Sequence, residues 1–138
     1  MSDSDLTARN VARVQNVYGR YAQGDRDAIF EALAPEVTWT SIGEGLVPWA
    51  GVRRGPAGVK QYFSDLDAEV DIIGYEVEQV IAQGEWIAVL ASASLRYRRN
   101  GQEHRYAKAD FIRLVGGQVV DFREFYDTGR ASRDHVSG

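Results

Sequence analysis

Apolar residues recur at three- and four-residue intervals in the first half of the chain and at alternate positions in the second. The spacing of Val11, Val14, Tyr18, Tyr21 and Ala22 predicts a first helix, capped by Ser4 or Asp5. Gly24 suits its C-terminal end, and Asp25 opens a short second helix through D-A-I-F-E-A-L, which Pro35 stops. V-T-W-T-S (37–41) alternates as a strand does. Gly43, Gly45, Gly51 and Gly55, with Pro48, make 42–55 the longest irregular stretch, one with the glycine content of a lid or of a plain surface loop. Pro56 fits the first turn of a third helix, which carries Val59, Tyr62, Phe63 and Leu66 to about Glu69.

From there the period is two. Strands are predicted over 70–82, 85–98, 104–115 and 118–127, separated by Q-G-E, N-G-Q and V-G-G turns. Helices followed by an antiparallel meander indicate an α+β fold rather than a parallel βαβ sheet. With 138 residues, no internal repeat and no linker, one domain over 1–138 is expected, with its core at about 8–128 and 129–138 as a peripheral tail.

The net charge of −4 leaves no basic face for nucleic acid, and R-Y-R-R (96–99) is too short to supply one. The chain has no cysteine, which removes disulfides, thiolate nucleophiles and cysteine metal sites. No apolar run approaches the roughly 20 residues of a membrane span, and the polar, acidic N-terminal stretch is no signal peptide, so a cytoplasmic protein is expected. His104 and His135 stand apart without spaced carboxylates, so no metal is expected. Phosphate loops, dinucleotide fingerprints and Ser-His-Asp patterns are absent, and no cofactor is expected.

The chemistry-bearing positions lie on the last hairpin, K-A-D-F-I-R-L-V-G-G-Q-V-V-D-F-R-E-F-Y-D-T-G (108–129). Lys108, Asp110 and Glu124 sit where a half-buried strand carries core side chains. A two-residue turn at Gly116-Gly117 would pair Val115 with Gln118 and set Asp110 against Arg123. A three-residue turn would pair Leu114 with Gln118 and set Lys108 against Glu124. The second is preferred, because it gathers Asp110, Ile112 and Leu114 with Val120, Phe122, Glu124 and Tyr126 on one face. The other face then carries Ala109, Phe111, Arg113, Asp121, Arg123 and Phe125; with Trp86 it suits a homodimer contact.

Four stretches carry a family resemblance: Y-A-Q-G-D-R-D-A-I-F-E-A-L-A-P-E-V-T-W (21–39), G-V-R-R-G-P-A-G-V-K-Q-Y-F (51–63), the strand ending R-R-N-G, and R-E-F-Y-D-T. With the element order, they resemble the SnoaL-like and ketosteroid isomerase-like branch of the nuclear transport factor 2-like superfamily over roughly 8–128. The resemblance implies a cone: a curved antiparallel sheet wrapped around three N-terminal helices, enclosing an apolar pocket and pairing into homodimers through its outer face. It aligns Asp110 with a pocket acid of ketosteroid isomerases, and Glu124 with one of limonene epoxide hydrolases. It also places a tyrosine near Tyr18. Two departures stand out: Ser41 occupies the isomerases' general-base position, and Ala91 and Ala93 replace the Arg and Asp of the epoxide hydrolases.

The expected site therefore has Asp110 and Glu124 as acid or base, Lys108 tuning them, and Tyr18 and Tyr126 orienting a polar oxygen. Trp39, Ser41, Ala93, Leu95, Tyr97, Ile112 and Phe122 from strands, with Leu33 and Phe63 from helices, would form a wall for a small, largely apolar molecule. Cofactor-free isomerisation, cyclisation, hydration or dehydration fits these groups. A non-catalytic ligand-binding or dimerising module, with the same charges structural, is the other reading.

Overall fold

A computed structural model describes residues 2–136 of the chain. Helix α1 (Asp3–Ala22) begins two or three residues earlier than expected: Ser2 is its cap, its hydroxyl accepting from the Asp5 amide, with Asp3 and Asp5 in the positive first turn. Asn10, Val14 and Tyr18 follow at four-residue intervals and form its buried face. The short α2 (Asp27–Ala32) runs directly into β1 (Leu33–Ser41), so Leu33 belongs to a strand and not to a helix. Pro35 lies inside β1, in the stretch where its ladder with β6 (Gln118–Tyr126) is interrupted and no amide donor is required.

The glycine-rich stretch is less irregular than its composition suggests. Gly51–Arg54 forms β2, antiparallel to β1, with Arg53 opposite Trp39. Then α3 (Gly55–Asp67) buries Val59, Tyr62, Phe63 and Leu66, with Pro56 in its first turn. The meander follows as β3 (Val70–Gln83), β4 (Trp86–Tyr97), β5 (Glu103–Val115) and β6. All six strands form one curved, mixed sheet in the order β2-β1-β6-β5-β4-β3. The β1–β6 pair is parallel, an exception to the expected antiparallel pattern. The helices pack inside the curve, where the core runs from Val14 and Tyr18 to Phe122.

Both registers read from the last hairpin need correction. The turn is the two-residue one, Val115 pairing with Gln118 across two left-handed glycines, as tight hairpins require. The ladder then slips once: Leu114 pairs with Val119 but Arg113 with Asp121, leaving Val120 as the extra residue of a β-bulge. Beyond it, Asp110 faces Glu124 and Lys108 faces Tyr126. The bulge restores the inward face that a two-residue turn alone would have turned outward, so Lys108, Asp110, Glu124 and Tyr126 share it. Val119, not Val120, packs against the core.

The C-terminal stretch is a packed helix, α4 (Thr128–Val136), rather than a peripheral tail. Asp127 caps it, accepting from the Arg130 amide at 2.9 Å. Ala131 is buried, and His135 meets Glu69 at 2.9 Å. Among the described residues, no helix is long and apolar enough to cross a membrane.

Candidate functional site: a buried lysine between two carboxyl groups

Lys108 lies inside the curve with both expected acids: its Nζ is 3.0 Å from Glu124 Oε2 and 3.3 Å from Asp110 Oδ1. Asp110 is 1% exposed and Glu124 4%. Phenols and a hydroxyl complete the shell. Tyr18 donates to Asp110 Oδ2 at 2.5 Å and Tyr75 donates to the same oxygen at 3.2 Å. Ser41 and Tyr62 donate to Glu124 Oε1 at 2.6 and 2.8 Å. Asp110 Oδ1 accepts no hydrogen bond, although Lys108 is near it, and it is buried.

These surroundings drive the two carboxyl groups apart. Burial raises Asp110; Lys108 opposes the rise and the Glu124 charge adds to it, and the balance is a pKa above the usual carboxylate range. Burial would raise Glu124 too, but Lys108, Ser41 and Tyr62 together outweigh it and hold this carboxyl below its ordinary value. Lys108 is raised well above a free lysine, because its two acid neighbours overcome its own desolvation. Tyr18 and Tyr62 are pushed far up, chiefly by burial, and Tyr21 rises to about 12. The phenols therefore remain donors. One positive lysine, one ionised glutamate and one aspartic acid that holds its proton more tightly than usual make up the buried cluster.

The cluster stands at the waist of a divided cavity. One lobe, of about 80 Å³, is bounded by Val14, Tyr18, Leu33, Trp39, Phe122 and Asp110, among others. The other, of about 60 Å³, is bounded by Trp49, Leu66, Ala93, Leu95, Tyr106 and Tyr126. Tyr21, Tyr62, Tyr75, Lys108 and Glu124 border both. In the first lobe Trp39 stacks on Phe122 with ring centres 3.8 Å apart, and its buried Nε1 has no hydrogen-bond partner.

Most expected wall residues take their places in these lobes: Tyr18, Leu33, Trp39, Phe63, Ile112 and Phe122 in the first, Ala93, Leu95 and Tyr126 in the second. Ser41 and Tyr97 do not. Ser41 lies behind Glu124 and is spent on it. Tyr97 hydrogen-bonds Tyr106 at 2.8 Å, and Tyr106 in turn bonds Asp134 of α4. Tyr126 accepts from the indole of Trp49 at 2.8 Å instead of meeting Glu124.

Sequence reasoning missed Tyr62, Tyr75 and Tyr21 as parts of the site. Tyr62 was visible only as one of α3's buried positions. Tyr75 was hidden by a register shift in β3 between Ile72 and Gly74, which alters the alternation around it. The signal was Gly74 itself, since a glycine within a strand often marks a bulge. His104 and His135 are both engaged with acids, Asp134 and Glu69. Among the described residues no group of three or more His, Asp or Glu side chains could hold a metal ion.

Comparison with solved structures finds the same architecture repeatedly. An NTF2-like protein of unknown function from Burkholderia pseudomallei K96243 is 23% identical, covers 94% of this chain and 98% of its own, and superposes with a TM-score of 0.86. A candidate SnoaL-like polyketide cyclase from Jannaschia sp. CCS1 is 18% identical, with 100% and 99% coverage and a TM-score of 0.82. TerC, co-crystallised with polyporic acid, is 18% identical, with 94% and 99% coverage and a TM-score of 0.81. Likeness at these identities establishes the fold alone. No functionally curated protein matches the chain. The sequence profile of the SnoaL-like domain matches residues 14–122, from the second half of α1 through α2, α3 and most of the sheet, Asp110 included, and the chain belongs to the SnoaL-like domain family.

Proposed function

We propose that the divided cavity binds a small, largely apolar molecule and that the protein acts on it by cofactor-free proton transfer, of the isomerase, cyclase or hydratase–dehydratase type. The observation that carries this reading is the pair of buried carboxyl groups that flank one lysine and are shifted from the ordinary carboxylate range in opposite directions. Divergent titration of neighbouring groups is how a site keeps an acid and a base ready at one pH. Asp110 is the proton donor, through the Oδ1 that no hydrogen bond occupies; Tyr18 and Tyr75 hold its other oxygen. Glu124 is the base. A turnover that removes a ligand proton at Glu124 and delivers one from Asp110 leaves the two acids exchanged. Lys108, touching both, is placed to pass the proton back. TerC, a protein of the same architecture, was co-crystallised with polyporic acid, which supports a small organic molecule as the kind of ligand.

One observation favours a second reading, a non-catalytic binding module. Both oxygens of Glu124 are satisfied, by Ser41 and Tyr62 on one and Lys108 on the other, as a structural charge network requires. The test begins with mass spectrometry of protein purified under native conditions, to identify a retained small molecule. Turnover and affinity for that molecule are then compared among the parent, Asp110→Asn and Glu124→Gln. Loss of turnover with binding retained supports catalysis. Binding without turnover in the parent selects the second reading.

Assembly belongs to the same proposal. The outer sheet face presents Phe111 and Phe125, 41% and 40% exposed and in edge contact, with Leu90 and Ile81 nearby on the same face. A two-fold homodimer through this face would cover them.

A further inference from the structure

The two lobes are small beside the roughly 300–1,000 Å³ of an ordinary ligand pocket. A third, larger space lies outside them: a cleft of about 550 Å³ between the α1–α2 turn, the end of α3 and the start of β3. Asp25, Arg26, Asp67 and Asp71 are on its polar wall. Among the described residues, only Tyr21 and Tyr75 border this cleft and both inner lobes. Their rings meet edge to face, 5.3 Å between centres and 88° between planes. Both are only partly buried, unlike Tyr18 and Tyr62 behind them.

We infer that the Tyr21–Tyr75 ring pair is the gate through which a ligand passes from the outer cleft to the inner lobes. This deepens the ligand-site reading above, on which it rests, by fixing the route of entry and one residue that links access to chemistry.

Three features make Tyr75 the moving member. It stands on β3, an edge strand of the sheet, whose ladder with β4 slips on both sides of it, between Ile72 and Gly74 and between Val77 and Gln79. A strand so interrupted is held less uniformly than β5, and bulges at an edge re-aim side chains. Its neighbour Gly74 has no side chain to pack. Finally, its interior bonds are weak: a 3.2 Å hydrogen bond to Asp110 and the Lys108 ammonium 5.3 Å from its ring centre. Tyr18, by contrast, is buried and holds the same carboxyl oxygen at 2.5 Å. Swinging Tyr75 outward joins cleft and lobes. It also withdraws one of the two phenol donors on Asp110, so the acid has its full shell only when the gate is shut. An open site would thus be a poorly formed one, and closure over the ligand completes it.

The rival route runs under α4, where Tyr106 and Trp49 cover the second lobe. Collisional quenching of tryptophan by acrylamide distinguishes the two without knowledge of the ligand, because Trp39 and Trp49 line the lobes. The background is Trp86→Phe, which removes the outer-face indole. In it Tyr75→Ala is expected to raise the quenching constant severalfold, and Tyr75→Phe, which keeps the ring, to leave it unchanged. Val59→Ala, a buried position that borders none of the three spaces, controls for general loosening. Quenching unaltered by Tyr75→Ala overturns the gate, as does an equal rise in Val59→Ala. A rise in Tyr106→Ala alone would place the entrance under α4 and overturn it as well. If no ligand is ever found but Tyr75→Ala alone admits the quencher, the gate stands and the ligand-site reading fails by itself.

Discussion

Asp110 and Glu124 face each other across the β5–β6 ladder, share one lysine, and are displaced from their ordinary titrations in opposite directions. The asymmetry lies in their donors. Glu124 has Ser41, Tyr62 and a hydrogen-bonded ammonium; Asp110 has two phenols on one oxygen and no hydrogen bond on the other. A shared cation thus settles on the acid whose remaining lone pairs are better served.

The pH dependence of stability follows from these directions. Glu124, depressed in the folded state, contributes stability above its unfolded pKa, and this is lost as pH falls through the lower folded value. Asp110, raised on folding, does the reverse: its contribution is complete below the unfolded pKa and is lost as pH rises toward the folded one. Asp110→Asn imitates the neutral carboxyl, so its stability relative to the parent should increase with pH across that window. Denaturant unfolding at several pH values checks this; a flat or opposite difference would mean that Asp110 is an ordinary ionised aspartate.

Glu124→Gln should be costly. The substitution leaves Lys108, whose side chain is 12% exposed, with Asp110 as its remaining acid, and breaking a buried pair from one side typically costs about 3–5 kcal/mol. A small loss measured by thermal or denaturant unfolding would show that water reaches Lys108.

If the outer sheet face is the proposed homodimer contact, charge placed there should dissociate it. Phe111→Glu with Phe125→Glu is expected to give a monomer of near-parental fold by circular dichroism, against a parent dimer in light scattering at micromolar concentration. A monomeric parent rejects the contact.

Asp127→Ala removes the cap of α4 and should cost about 1 kcal/mol, typical for a lost N-cap. Hydrogen exchange should rise within 128–136 and leave β5 protected. Uniform loss of protection would indicate that α4 is integral to the sheet's stability.

The α+β architecture was legible because α3's buried stripe and the strands' period of two are strong signals, and the curve of the sheet was legible only through the family resemblance. The charged cluster was legible for the opposite reason: Lys108, Asp110 and Glu124 violate the inward parity of their strands. What escaped had no such contrast. Gly51–Arg54 offers four residues among glycines, too few to display alternation. The α4 segment is polar almost throughout and buries little beyond Ala131, so its cap at Asp127 was its one clear mark. The hairpin slip falls between Val119 and Val120, two identical residues whose order says nothing about which faces inward. Tyr62 and Tyr75 read as ordinary amphipathic positions, since a phenol that packs and a phenol that donates to a buried acid look the same in sequence.

The Val120 bulge also separates two lengths that a regular hairpin would lock together. With a spare residue stored near the turn, a deletion there can be taken up without rotating the rest of the strand. Removing Val120 would let a two-residue turn run in unbroken register while Glu124 still arrives opposite Asp110. The rim of this hairpin can therefore change length over evolution while its inner end keeps its geometry, whereas the same deletion nearer Glu124 would turn every following side chain through the sheet.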